Sequence, residues 1–246
     1  AVGLLTQHRP CGNACIAHAK RRWIERCSGL SAEHGCSSGA VNAVRTGASP
    51  FLPMSTPRSA DVVLYLDLDG VVHHEQVLWH PHKGIYMSPY EAPGRSLFEW
   101  VPILEAALDP YPSVALVLSS TWCIRPGYSA TLKRLPLSLR SRFIGGTYHK
   151  RVHGADPWNL AMFRGMPRGE QVLEDALRRK PRQWLALDDD LEGWPEACRE
   201  NLIACEGTTG LSDREVQREL GEKLQRCHEE LLSVQSDIAQ PSISAS

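Results

Sequence analysis

The chain has no apolar run approaching the roughly 18 residues that a membrane-spanning helix needs. Its first stretch, AVGLLTQHRPCGN, lacks the long apolar centre of a secretory signal. Neither charge sign dominates: the formal net charge is -1 over 246 residues, so no general pull toward nucleic acid or anionic lipid is built in. Paired C-x2-C knuckles are absent, and no internal repeat appears. These absences argue against membrane, secreted, polybasic and repeat classes. A cytoplasmic enzyme or binding module with no membrane partner is the expectation.

The charge that exists is unevenly placed. Residues 1–53 carry six Lys/Arg against two Asp/Glu, and residues 54–246 carry 21 against 26. The first segment holds four of the eight cysteines, no methionine and no sustained helical or strand period. Cys11, Cys15, Cys27 and Cys36, with His8, His18 and His34, offer zinc-type ligands, but their spacings match no compact zinc module. A stretch such as CSGLSAEHGCSSGAVNAVRTGASP cannot bury much surface, so residues 1–58 read as a disordered leader, with Met54 standing where a natural start would be. Residues 59–233 read as one catalytic domain and 234–246 as a disordered tail.

From Asp61 onward strands and helices alternate. VVLYLD is a short β-branched run suited to a strand buried on both faces. RSLFEWVPILEAALD places Leu97, Trp100, Val101, Leu104 and Leu108 at helical spacing, with Pro102 near its first turns. SVALVLSS is a second strand, GYSATLKRLPLSLRSR a broken helix and FIGG a third strand. PRGEQVLEDALRRK is a helix opened by Pro167, QWLALDDD a fourth strand and NLIAC a fifth. Ser212 with Glu215 spells a capping box before a last helix over 213–233. This order predicts an α/β fold, a parallel sheet of about five strands with helices on both faces. Ligands of such sheets bind at the carboxyl ends of the strands, near a topological switch point.

That edge collects unusual chemistry. Asp67 and Asp69 end the first strand, Ser119 the second, and Asp188, Asp189 and Asp190 the fourth. Converging carboxylates repel one another unless a cation lies among them. Oxygen donors of this kind suit Mg²⁺, with a substrate phosphate completing the coordination. An EF-hand is excluded, because its first ligand position would fall on Tyr65 inside a buried strand.

YLDLDGVV resembles the first motif of the haloacid dehalogenase (HAD) superfamily, LVLSSTW resembles the second, and LALDDD resembles the acidic fourth. With FIGGT and RGEQVL added, the combination is similar to the HAD domains associated with Swiss Army Knife RNA repair proteins. The resemblance covers residues 61–206, or to 233 with the final helix. It implies a Rossmann-like HAD fold and a Mg²⁺-dependent phosphohydrolase. Asp67 would then attack phosphorus to form an aspartyl phosphate, and Asp69 would serve as general acid and then base. Gly70 would let the chain turn while backbone amides approach the phosphoryl group. Ser119 would donate to a phosphoryl oxygen, with Ser120 as the alternative one register away. Metal ligands would be the Asp67 carboxylate, the Asp69 carbonyl, and Asp188 or Asp189, one directly and the other through water. Asp190 is expected to cap the following turn.

One departure concerns the cation that such enzymes usually supply as lysine. Arg168 opens the helix before the fourth strand, whereas Lys180 lies about 18 Å away by helical rise, so Arg168 is the candidate. The 25 or so residues after Gly70 are too few for a cap domain and suit a flap, an open site for bulky substrates such as a phosphorylated nucleic-acid end. His73, His74, His80 and His82 crowd this flap with Trp79, Tyr86 and Tyr90. They read as a polar surface loop with packed aromatics, as a stacking and phosphate-contacting surface, or as a histidine metal site. Trp122 reads as core, and Cys123 lacks the surroundings of a thiol nucleophile. The competing class is a catalytically silent HAD-like module that binds phosphate or a partner.

Overall fold

The computed structural model describes residues 58–153 and 156–239. The expected leader and its cysteines, and the end of the expected tail, lie outside the described residues. The central sheet contains β1 (Val62–Leu66), β4 (Val114–Leu118), β5 (Phe143–Gly146), β6 (Gln183–Asp188) and β7 (Leu202–Ala204). Its order is β5-β4-β1-β6-β7, and every neighbouring pair is parallel. The chain leaves β1 toward β4 and β5, then returns to the other side of β1 as β6 and β7. The switch point therefore lies between β1 and β6.

β1 is buried along its whole length, which explains its unbroken run of apolar residues. Its even-numbered residues Val62, Leu64 and Leu66 pack with α1 (Val101–Leu108) and α7 (Arg214–Ala239). Val63 and Tyr65 face the other way, against Val172, Leu173 and Ala176 of α6 (Arg168–Arg179). Helices thus cover both faces. Shorter helices α2 (Tyr128–Leu132), α3 (Leu137–Arg140), α4 (Lys150–His153) and α5 (Pro157–Arg164) fill the connections around β5. On α7, Val216, Leu220, Leu224, Cys227 and Leu231 form the buried stripe. Among the described residues, no helix is long and apolar enough to cross a membrane.

Two local expectations are corrected. The first helix starts at Val101 and not near Arg95, so that Pro102 sits in its first turn, where a missing N–H costs nothing. The residue that caps α7 is Asp213, whose Oδ1 accepts from the Glu215 amide at 2.8 Å, whereas the Ser212 hydroxyl donates to the Thr209 carbonyl. The flap holds a hairpin, β2 (Val77–His80) antiparallel to β3 (Gly84–Met87), that turns at Gly84 with φ +73°. Its eight strand residues are far too few for a cap domain.

Candidate active site

Register builds the site. Leu66 of β1 lies beside Leu118 of β4 and Leu187 of β6. The next residues, Asp67, Ser119 and Asp188, therefore emerge at the same level of the carboxyl edge. Because side chains alternate and Leu66, Leu118 and Leu187 face the α1/α7 layer, these three turn toward the α6 layer. There the first residue of α6 meets them. Arg168 Nη2 donates to Asp67 Oδ2 at 3.2 Å, and Arg168 Nε lies 3.4 Å from Asp188 Oδ2. Gly169 permits the approach, because a Cβ there would stand 2.6 Å from the Gly193 and Trp194 backbone. Its amide bonds the Glu192 carbonyl at 3.0 Å.

Asp67, Asp188 and Asp189 bring one carboxylate oxygen each within 4.8 Å of one another. Burial raises the pKa of Asp67 above the ordinary carboxylate range, with Asp69 adding to the rise and Arg168, Ser120 and the Leu68 amide opposing it. Burial raises Asp188 further, with repulsion from Asp67 next and Arg168 opposing. Asp189 is pushed up to about 7, first by burial and then by Asp67, with Glu75 contributing. Burial works against the charge of Arg168, but Asp67, Asp188 and Asp190 more than offset it, and its pKa rises. The site is an acidic pocket short of positive charge.

Gly70 lets the turn after β1 pack directly against the Asp189 carboxylate. Its φ of +70° belongs to the left-handed region, and a Cβ there would fall 2.1 Å from Asp189 Oδ2. The Ser120 hydroxyl accepts from the Trp122 amide at 3.5 Å and lies close enough to Asp67 to oppose the rise of its pKa. The Ser119 hydroxyl is buried and has no hydrogen-bond partner among the described residues. Asp190 caps the turn as expected, accepting from the Glu192 amide at 2.8 Å.

Asp69 faces elsewhere. Trp122 Nε1–H points between its two oxygens, 2.9 Å from Oδ1 and 3.0 Å from Oδ2, and His73 Nε2 lies 2.9 Å from Oδ1. Trp122 is core, as its composition suggested, yet its one polar atom serves the site edge. His73 is fully buried and His74 is buried, so the reading of all four flap histidines as surface groups is corrected for these two. Phe98 packs its ring against both His73 (centroids 5.2 Å) and Trp122 (5.5 Å). It does so with φ +64°, a left-handed conformation that costs a non-glycine residue about 1–2 kcal/mol. The available signal was the spacing of His73, four residues past Asp69 across a tight turn, and the tryptophan three residues past Ser119. Cys123 is buried, and its thiol is pushed up to about 12 by that burial, which leaves it unreactive.

No curated protein and no solved structure significantly matches the chain. A family model does: the HAD domain in Swiss Army Knife RNA repair proteins, over residues 63–216. That span begins inside β1, ends in the first turn of α7 and contains every residue of the acidic pocket. With more than half its length matched, this chain belongs to the HAD domain family of Swiss Army Knife RNA repair proteins.

Proposed function

We propose that the domain is a Mg²⁺-dependent phosphohydrolase that transfers a phosphoryl group to Asp67 and then to water, with a phosphorylated nucleic-acid end or another bulky phosphomonoester as substrate. The observation that carries the proposal is the Asp67–Asp188–Asp189 cluster at the switch point, with Arg168 bridging two of its members.

The donors fit Mg²⁺. All are hard carboxylate oxygens, and Asp188 Oδ2 is buried without a hydrogen-bond partner among the described residues. Asp67, Asp188 and Asp189 would hold the ion, with the Asp69 carbonyl as a further donor. When bound, Mg²⁺ supplies charge that offsets the anionic nucleophile and the transferring phosphoryl group.

The chain's own groups would act as follows. An Asp67 carboxylate oxygen forms a bond to phosphorus as the bond to the leaving oxygen breaks, and the leaving oxygen takes a proton from the Asp69 carboxyl. The Asp69 carboxylate then takes a proton from water, whose oxygen attacks phosphorus. The Asp67–phosphorus bond breaks, phosphate leaves, and Asp67 and protonated Asp69 are restored. Arg168 keeps the nucleophile oriented and offers N–H groups to phosphoryl oxygens. The unpartnered Ser119 hydroxyl is available to donate to one of them.

Openness supports a large substrate. The Asp69 side chain is 31% exposed, and the hairpin is too small to form a cap domain. Trp79 is 45% exposed, with the Arg125 guanidinium stacked 3.9 Å from its ring centroid, and Lys83 and Arg134 are exposed nearby. Rings and cations of this kind suit a phosphate-bearing strand, and the description of the matched family names RNA repair. A specific observation also favours the silent-module reading: Arg168 pairs with both Asp67 and Asp188, so a cation of the chain itself offsets part of the carboxylate charge. Turnover of p-nitrophenyl phosphate with Mg²⁺ and with EDTA separates the two. Metal-dependent release of p-nitrophenol that Asp67→Asn abolishes supports the hydrolase, and its absence in folded wild type refutes it.

A further inference from the structure

We infer that Trp122 and His73 are positioning residues that aim the carboxyl of Asp69 at the leaving group. The inference rests on the proposed phosphohydrolase and assigns these side chains a part in it.

Asp69 is the one member of the D-x-D pair that stands apart from the three-carboxylate cluster. What holds it there is specific. The indole is a donor only, so a Trp122 N–H placed 2.9 and 3.0 Å from the two oxygens fixes the plane of the carboxyl. His73 Nε2, 2.9 Å from Oδ1, fixes it from a second direction. Both partners are rigid and dry: Trp122 is 2% exposed and His73 0%, whereas the carboxyl they grip faces solvent on its remaining side.

The backing of the two rings argues that their position matters. The His73 and Trp122 rings lie 5.8 Å apart by centroid, and Phe98 wedges edge-on against each. Phe98 adopts its left-handed backbone there, and the adjoining Trp100 amide bonds the Val72 carbonyl at 3.0 Å, tying this wedge to the loop that carries Asp69. Backbone strain of this sort persists only where its surroundings enforce it. The Trp122 end is fixed as well, because its backbone amide meets the Ser120 hydroxyl and its carbonyl accepts from the Thr131 hydroxyl at 3.1 Å. Two side chains and a wedge hold one carboxyl, and a proton donor displaced by about 1 Å can lose 10²-fold in rate.

The test uses leaving groups. In the full chain with Mg²⁺, kcat/KM is measured for p-nitrophenyl phosphate, whose leaving group departs without help, and for an alkyl phosphomonoester, whose leaving group needs a proton. Trp122→Phe keeps a ring but deletes the N–H. It is expected to lower kcat/KM for the alkyl ester about 10- to 100-fold and for p-nitrophenyl phosphate less than about threefold. His73→Gln, which offers an amide N–H at similar reach, should keep the ratio of the two substrates near that of wild type, while His73→Leu should shift it in the direction of Trp122→Phe. The histidine pair decides the matter if Trp122→Phe does not fold. Equal losses on both substrates in folded variants, or no loss on either, would overturn the positioning role while leaving the hydrolase standing. A folded wild type inactive on both esters would overturn both.

Discussion

Replacing Asp189 by asparagine should stabilise the metal-free protein, and do so more at pH 8 than at pH 5. Asp189 lies beside Asp67 and Asp188, and it shares with Glu75 the space over Gly207, where a Cβ would meet both carboxylates. Its folded pKa of about 7 exceeds the roughly 3.9 of a free aspartate. A raised carboxyl pKa means that the folded state holds the proton more tightly than the unfolded one. Stability is therefore lost as pH rises from about 4 to about 7, and the full cost applies above that window. Three pKa units correspond to about 4 kcal/mol. Asp189 is only partly buried, and solvent screening reduces this to about 2 kcal/mol at pH 8 and under about 1 kcal/mol at pH 5. For a domain of this size, 2 kcal/mol raises Tm by about 4–8 °C. The assay is thermal unfolding of wild type and Asp189→Asn in EDTA at both pH values. With Mg²⁺ the order should narrow or reverse, because only wild type keeps the full ligand set. A gain that is absent at pH 8, or no larger there than at pH 5, would refute the reasoning.

Other substitutions test the roles one at a time. Asp67→Asn should leave far-UV circular dichroism unchanged and reduce turnover of p-nitrophenyl phosphate by at least about 10³-fold, because the isostere lacks the attacking charge. Asp69→Asn should fold and lose about 10²–10⁴-fold on esters with poor leaving groups, measured as kcat/KM. Arg168→Lys keeps one charge but cannot reach Asp67 and Asp188 together, so kcat should fall about tenfold or more while the Mg²⁺-induced rise in Tm persists. On a substrate panel, phosphorylated oligonucleotides should exceed sugar phosphates in kcat/KM, the preference should weaken with salt, and Trp79→Ala should reduce it further.

The parts of the site that could be read from sequence are those fixed by strand period and strand ends. VVLYLD and QWLALDDD each present acids directly after a buried run, and parallel register then had to bring Asp67 and Asp188 to one level. Arg168 was accessible because a helix that precedes β6 must start near the carboxyl edge. Side-chain direction at the end of irregular turns was not accessible. Trp122 looks apolar in any window, and only the three-residue 3₁₀ turn Thr121–Cys123 reveals that its N–H reaches Asp69. His73 and His74 looked like loop residues because nothing local marks the turn as buried. The hairpin is not legible in the sequence because each strand has only four residues and the consecutive Leu78 and Trp79 are both exposed, which breaks the alternation of a half-buried strand. Ser212 lost the capping position to Asp213 because a 3₁₀ turn, Gly210–Ser212, uses the serine hydroxyl first.

The central claim is that phosphoryl transfer passes through Asp67, and trapping that bond tests it most directly. Wild type is mixed with p-nitrophenyl phosphate and Mg²⁺, quenched, reduced with borohydride and mapped by peptide mass spectrometry. Borohydride converts an aspartyl phosphate to homoserine, so homoserine should appear at position 67, only when substrate and Mg²⁺ are both present, and never at Asp69, Asp188 or Asp189. An active enzyme that yields unmodified Asp67, or that carries the modification at another carboxylate, would contradict the account.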